Sequence, residues 1–74
     1  MENYPYSAEK FSARLKELRA TRGMSQMALA NATGLSQSAI AKWEACRTEP
    51  TASAIVTLAH FFDEKIEYVL GLTE

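Results

Sequence analysis

Gln37, Ser38 and Lys42 are the residues of this chain whose types and spacing best suit recognition chemistry, all three lying between positions 37 and 42. A glutamine amide can bond adenine in a matched donor–acceptor pair, a serine hydroxyl donates or accepts, and a lysine ammonium reaches guanine or phosphate. A helix face that is merely solvated more often mixes Glu with Lys. Ser36 stands just before this group as a fourth candidate for a base edge. Gln26 lies further back, at the start of another helical pattern, where free N–H groups and the positive end of the helix dipole favour an anion. No rival chemistry is visible. The one His and one Cys stand in no Ser/His/Asp or Cys/His arrangement at usable spacing and in no metal cluster. The three glycines fall at helix ends and form no phosphate-cradling loop. The chain therefore reads as a non-enzyme with no cofactor and no metal.

These side chains need a rigid carrier, and the sequence spells one out. Ser25 caps a short helix over 26–32, in which Leu29 and Ala30 face inward. Gly34 supplies the positive φ of a helix-ending turn. Ser36 caps a second helix over 37–45, with Ile40 and Trp43 three apart on one face. Met24 with Leu29, and Leu35 with Ile40, stand at hydrophobic-staple spacing around the two caps. Two helices joined by a tight Gly-containing turn form a helix-turn-helix, here over about 25–45. Gln37, Ser38, Ala41 and Lys42 are left on its outer face.

This stretch resembles the helix-turn-helix of the phage Cro/repressor-like (XRE-type) DNA-binding family. Arg19, Gly23, Met24, Ser25, Gln26, Leu29, Ala30, Gly34, Leu35, Ser36, Ile40, Trp43, Glu44, Glu49 and Pro50 carry the likeness, which extends over about 11–72. The resemblance implies an all-α fold, a compact bundle of five short helices like the lambda-repressor DNA-binding domain. It implies that the helix bearing Gln37 enters the major groove of double-stranded DNA, with Ser36, Gln37, Ser38 and Lys42 at base edges. Gln26, Arg14, Arg19, Arg47 and Thr48 would then hold the backbone, which positions the domain without reading sequence. It also implies that Arg19 pairs with Glu44, as an ion pair tying the first helix to the third, as an Arg oriented toward phosphate, or as both. A homodimer on half-sites ~34 Å apart and a regulatory output, most often repression, follow from the same likeness.

Composition sets the frame. Seventy-four residues, 47% hydrophobic and 23% charged, suit one soluble globular domain over 1–74. No apolar run approaches the ~20 residues of a membrane span. The first residues lack a basic region followed by an apolar core, and the lone cysteine cannot close an internal disulfide, so a cytoplasmic location is expected. Net charge is −1, yet residues 1–48 sum to +3 and residues 49–74 to −4. The basic half holds the proposed reading helix. The acidic half would face away from DNA, or toward a protein partner. Two other functions stay open on that account: the antitoxin half of a toxin–antitoxin pair that also binds DNA, and a protein–protein adaptor that kept the fold.

The remaining segments read as support. Residues 1–6 read as a short arm, in which Pro5 stops any earlier helix and Tyr4 and Tyr6 are large enough to pack back on the domain. A first helix over 8–22, capped by Ser7, carries the stripe Phe11, Leu15, Leu18, with Tyr6 and Phe11 as a staple. For Arg14 a solvated surface and a phosphate contact are equally open. Cys46 stands where the family closes the reading helix with Gly, so a retained positive φ would strain it; a redox role would need a low pKa and exposure. A helix over 52–62, capped by Thr51, packs through Ile55, Leu58, Ala59 and Phe62, and His60 sits at its surface. Asp63 sits where the family it resembles mostly has a helix-ending Gly, and Asp tolerates left-handed geometry better than most residues. A last short helix over 66–70 packs through Ile66, Val69 and Leu70. Tyr68, Val69 and Leu72 read either as packing or as a dimer patch.

Overall fold

The computed structural model describes residues 6–74. Its helices are α1 (Ala8–Thr21), α2 (Gln26–Thr33), α3 (Gln37–Glu44), α4 (Ala52–Phe62) and α5 (Ile66–Val69). Each end lies within one residue of the sequence expectation, which is ordinary fraying at helix termini. Tyr4 lies outside the described residues.

Four caps start the first four helices. The hydroxyls of Ser7, Ser25, Ser36 and Thr51 accept from the backbone N–H of Lys10, Ala28, Ala39 and Ala54 at 3.2, 3.0, 2.9 and 3.1 Å. Each satisfies one of the orphan donors of a helix start. Four ends are closed alike. After α1, α3, α4 and α5 one residue turns left-handed, and the next N–H reaches back five residues to a carbonyl. These bonds are Met24 to Arg19, Arg47 to Lys42, Glu64 to Ala59 and Leu72 to Glu67, at 2.8–2.9 Å. Glycine takes the left-handed place in two of them, at Gly23 and Gly71. Cys46 (φ 60°) and Asp63 (φ 55°) take it in the others. Cys46 thus keeps the turn of a glycine and carries the steric cost of a Cβ there.

One core joins all five helices. Phe11, Leu15, Leu29, Ile40, Leu58 and Val69 are its largest fully buried side chains. Phe11 sits between Tyr6 and Trp43, with ring centroids 6.3 and 6.1 Å away. α1 lies against α3 and α5, α2 against α3 and α4, and α4 against α5. α5 is one turn with no side-chain cap bond, too short to stand alone; buried Val69 anchors it. Ile66, expected to pack, is instead 45% exposed at the first position of α5, where it borders an open apolar hollow with Ile55, Val56 and Leu70.

Gly71 shows how closely the end of the chain meets α1. A Cβ added there would stand 2.6 Å from the carbonyl oxygen of Lys10, and the residue has φ 76°. Gly23 has a similar φ of 64° with open space around it. Gly23→Ala should therefore cost only the left-handed strain, about 1–2 kcal/mol. Gly71→Ala should cost that plus about 1–3 kcal/mol of overpacking. Urea denaturation of the two variants measures the difference. Cys46→Gly should move the other way and stabilise the fold by about 1 kcal/mol through relieved backbone strain.

Candidate nucleic-acid interface

α3 has two faces with different work. Ile40, Trp43 and Glu44 are buried, at 0%, 5% and 6% exposure. Gln37, Ser38 and Lys42 are exposed, with Ser38 and Lys42 on the side away from Ile40 and Trp43. Ser36 is exposed at the helix start, and its oxygen already accepts from Ala39, so its hydroxyl hydrogen is the group left to donate. Arg47 and Thr48 follow in the exposed turn beyond α3. The protein thus presents a small polar face from a helix fixed on its other side.

The fixing is unusually polar. Glu44 is a buried carboxylate on α3, and Arg19 of α1 grips it with two bonds, Nε to Oε2 and Nη2 to Oε1, both 2.6 Å. The remaining Arg19 nitrogen, Nη1, donates to the Met24 carbonyl at 2.8 Å, just before the Ser25 cap. Gln26, on the first turn of α2, donates its Nε2 to Glu44 Oε1 at 3.1 Å. One carboxylate therefore ties α1, α2 and α3 together. Ser12 adds a second bolt: its buried hydroxyl donates to the Glu44 backbone carbonyl at 2.7 Å, satisfying an orphan acceptor at the end of α3. Burial by itself would raise the Glu44 carboxyl; the hydrogen bonds from Arg19 and Gln26, with the positive charges of Arg19 and Lys16, outweigh it and hold the group below its ordinary value. The hydrogen bond to Glu44 raises Arg19 in turn, against the opposing effect of burial.

Other sequence candidates take different places. The Arg14 guanidinium is engaged within the chain. It donates to the carbonyls of Tyr68 and Thr73, pairs with Glu17 at 3.0 Å, and lies 3.8 Å from the centre of the Tyr68 ring. Arg14 clamps the C-terminal segment to α1, and a phosphate contact would compete with those bonds. Arg19 is similarly occupied, with its side chain 18% exposed. Of the proposed dimer patch, Val69 has no exposed surface and cannot meet a partner: the one-turn α5 needs it as its anchor. Tyr68 is half-buried beneath Arg14, and Leu72 is half-buried. Among the described residues the exposed large apolar side chains are Met27, Val56 and Ile66. His60 and Cys46 are both exposed, and no cluster of His, Cys, Asp and Glu among the described residues could hold a metal. No helix among them is long and apolar enough to cross a membrane.

Ser12 and the Arg14 clamp were the functional supports that sequence reasoning missed. Ser12 sits beside Phe11 on the edge of the apolar stripe. A small polar residue there is a weak sign of a buried partner on another helix.

A short capped helix with one exposed polar face, bolted through the other face to a preceding helix across a Gly turn, defines the helix-turn-helix class. Residues 15–69 match the helix-turn-helix family, Cro/C1 (XRE) type, and the chain belongs to it. It is 31% identical over 64 residues to a protein of Bacillus subtilis (strain 168) named as an uncharacterized HTH-type transcriptional regulator, YobD. The aligned part covers 86% of this chain and 57% of that relative, so the chain spans a little over half its length. No solved structure matches the chain.

The Glu44 node makes two predictions. Glu44→Ala leaves Arg19 with no carboxylate in a mostly buried place and should cost about 3 kcal/mol, the lower end for a broken buried pair because Arg19 keeps some water. Arg19→Met/Glu44→Leu should recover much of that loss, which urea titration of the single and double variants measures. The second concerns acid. The folded-state value of Glu44 lies below its ordinary 4.5, so the pair contributes fully above that pH and is lost as pH falls through the lowered value. Thermal melts of Glu44→Gln should therefore lose less stability on acidification than those of the parent protein.

Proposed function

We propose that this protein is a sequence-specific double-stranded DNA-binding transcriptional regulator, a repressor acting as a homodimer on a two-fold symmetric operator. The observation that carries this reading is the face of α3: Gln37, Ser38 and Lys42 exposed together, with no acid among them, on a helix held by Glu44, Trp43 and Ile40. With α3 in the major groove, those three and Ser36 lie against base edges. Gln26, Arg47 and Thr48 line the approach to the backbone. Arg19 acts there mainly through Glu44, by holding α3 and the start of α2 in register. The net charge of +3 on residues 1–48 agrees in sign with a polyanion. The name of the Bacillus relative supports the regulatory output. A dimer bound to an operator that overlaps a promoter represses by occupancy. Two copies on half-sites ~34 Å apart would each supply one reading helix.

Selection from a pool of randomised duplexes tests the reading. A two-fold symmetric sequence should be enriched, and binding to it should weaken steeply as salt rises, since each neutralised phosphate contributes roughly 0.9 to the slope. Sedimentation of the complex should give two chains per duplex. Gln37→Ala should lose about 1–3 kcal/mol of discrimination at one or two base positions with little change in melting temperature. Arg47→Ala should weaken all sequences alike and reduce the salt slope by about 1. If no sequence is enriched, DNA reading falls, and the acidic residues 49–74 become the surface to probe for a protein partner, as in an antitoxin or adaptor.

A further inference from the structure

We infer that the C-terminal half of the α3 face reads a thymine through its C5-methyl group, with Ala41 as the contact and Ala45 beside it. The inference rests on the DNA-reading role proposed above and names what one part of that site recognises. Ser38, Ala41, Lys42, Ala45 and Arg47 line one open hollow of about 340 Å³ on the surface of α3. The first four recur at helical spacing, so they form a single stripe along one side of the helix. Two of the four are alanines, placed one turn apart. The side of the hollow is completed by the chain itself. Cys46 turns left-handed at φ 60°, and the Arg47 N–H returns to the Lys42 carbonyl at 2.8 Å. That turn brings Arg47 to the edge of the hollow instead of carrying it away from the helix.

The chemistry of the floor selects its occupant. A guanine edge offers two acceptors, an adenine edge a donor and an acceptor, and a cytosine edge a donor. Ser38, Lys42 and Arg47 can meet polar groups elsewhere in the hollow, but a polar edge set directly against the Ala41 methyl would lose water and find no partner there. No carboxylate lines the hollow; the nearest in sequence, Glu44, is buried and gripped by Arg19 and Gln26. The thymine methyl is the one apolar group in the major groove, and alanine is among the side chains suited to it. Small side chains also let the helix approach closely, while Arg47 carries the sign needed for a flanking phosphate and Lys42 is left for a neighbouring base edge. Gln37 and Ser38 would thus read by hydrogen bonds at one end of the helix, and Ala41 by apolar contact further along.

The test uses the full chain and the duplex enriched by selection. Each thymine of one half-site is replaced in turn by deoxyuridine, which removes only the methyl. One replacement should weaken binding about three- to fivefold, the worth of one buried methyl. Ala41→Gly should bind the thymine and deoxyuridine duplexes equally at that position, while the base preferences set by Gln37 persist. Because glycine weakens a helix interior, Ala41→Ser serves as a second variant; its hydroxyl should erase or invert the preference for the methyl while the helix is kept. An enriched operator in which no thymine methyl matters overturns this inference and leaves DNA reading intact. A methyl effect that survives both Ala41 variants also overturns it. Failure to enrich any sequence overturns both.

Discussion

The structure depends on one buried carboxylate. Glu44 has its side chain only 4% exposed, and an ionised group in such a place is tolerable only when fully paired and hydrogen-bonded. Arg19 supplies two parallel bonds and Gln26 a third. These partners come from different helices, so satisfying the charge fixes α1, α2 and α3 relative to one another. Apolar packing of Ile40 and Trp43 holds α3 against the core but would tolerate small rotations. A bidentate guanidinium does not, because its geometry is planar and directional. The exposed polar surface of α3 inherits that definition.

The same node links the reading helix to the start of α2. Gln26 has one amide hydrogen on Glu44 while its backbone lies at the N-terminal end of α2, where free N–H groups suit a phosphate. Arg19 also reaches the Met24 carbonyl in the turn before that helix. The residue that orients α3 is therefore connected, through two bonds, to the segment best placed to meet the backbone. The start of α2 and the exposed surface of α3 become parts of one rigid unit. The other arginine of α1 has a different fate. Arg14 holds the last residues against α1 and covers Tyr68, giving the one-turn α5 and the chain end a fixed seat.

Cys46 and Asp63 illustrate a local cost accepted by the whole. Both occupy left-handed positions that glycine fills elsewhere in this chain. The closing bonds that follow them, Arg47 to Lys42 and Glu64 to Ala59, satisfy carbonyls at the helix ends and set the direction of the next segment. At Cys46 that direction decides where Arg47 stands, and hence the shape of the surface beside Ala41 and Ala45.

Much of the architecture was legible in the sequence because its determinants are local. Ser7, Ser25, Ser36 and Thr51 announced helix starts, Gly34 announced the turn, and the spacing of Phe11, Leu15 and Leu18 or of Ile40 and Trp43 marked the inward faces, since a side-chain cap or an i, i+4 stripe involves only neighbours in the chain. The outward placement of Gln37, Ser38 and Lys42 follows from the same periodicity. What only the tertiary structure decided involves groups distant in sequence. Arg14 could have faced solvent or phosphate until Tyr68 and Thr73 were found beside it. Val69 and Ile66 share a short apolar segment, and only the docking of α5 determined that Val69 is buried and Ile66 exposed. Ser12 reveals its role only opposite the end of α3. A one-dimensional pattern gives the face of a helix, but the partner of a charge or hydroxyl is chosen by which helices meet in three dimensions, as Arg19 and Gln26 meet at Glu44.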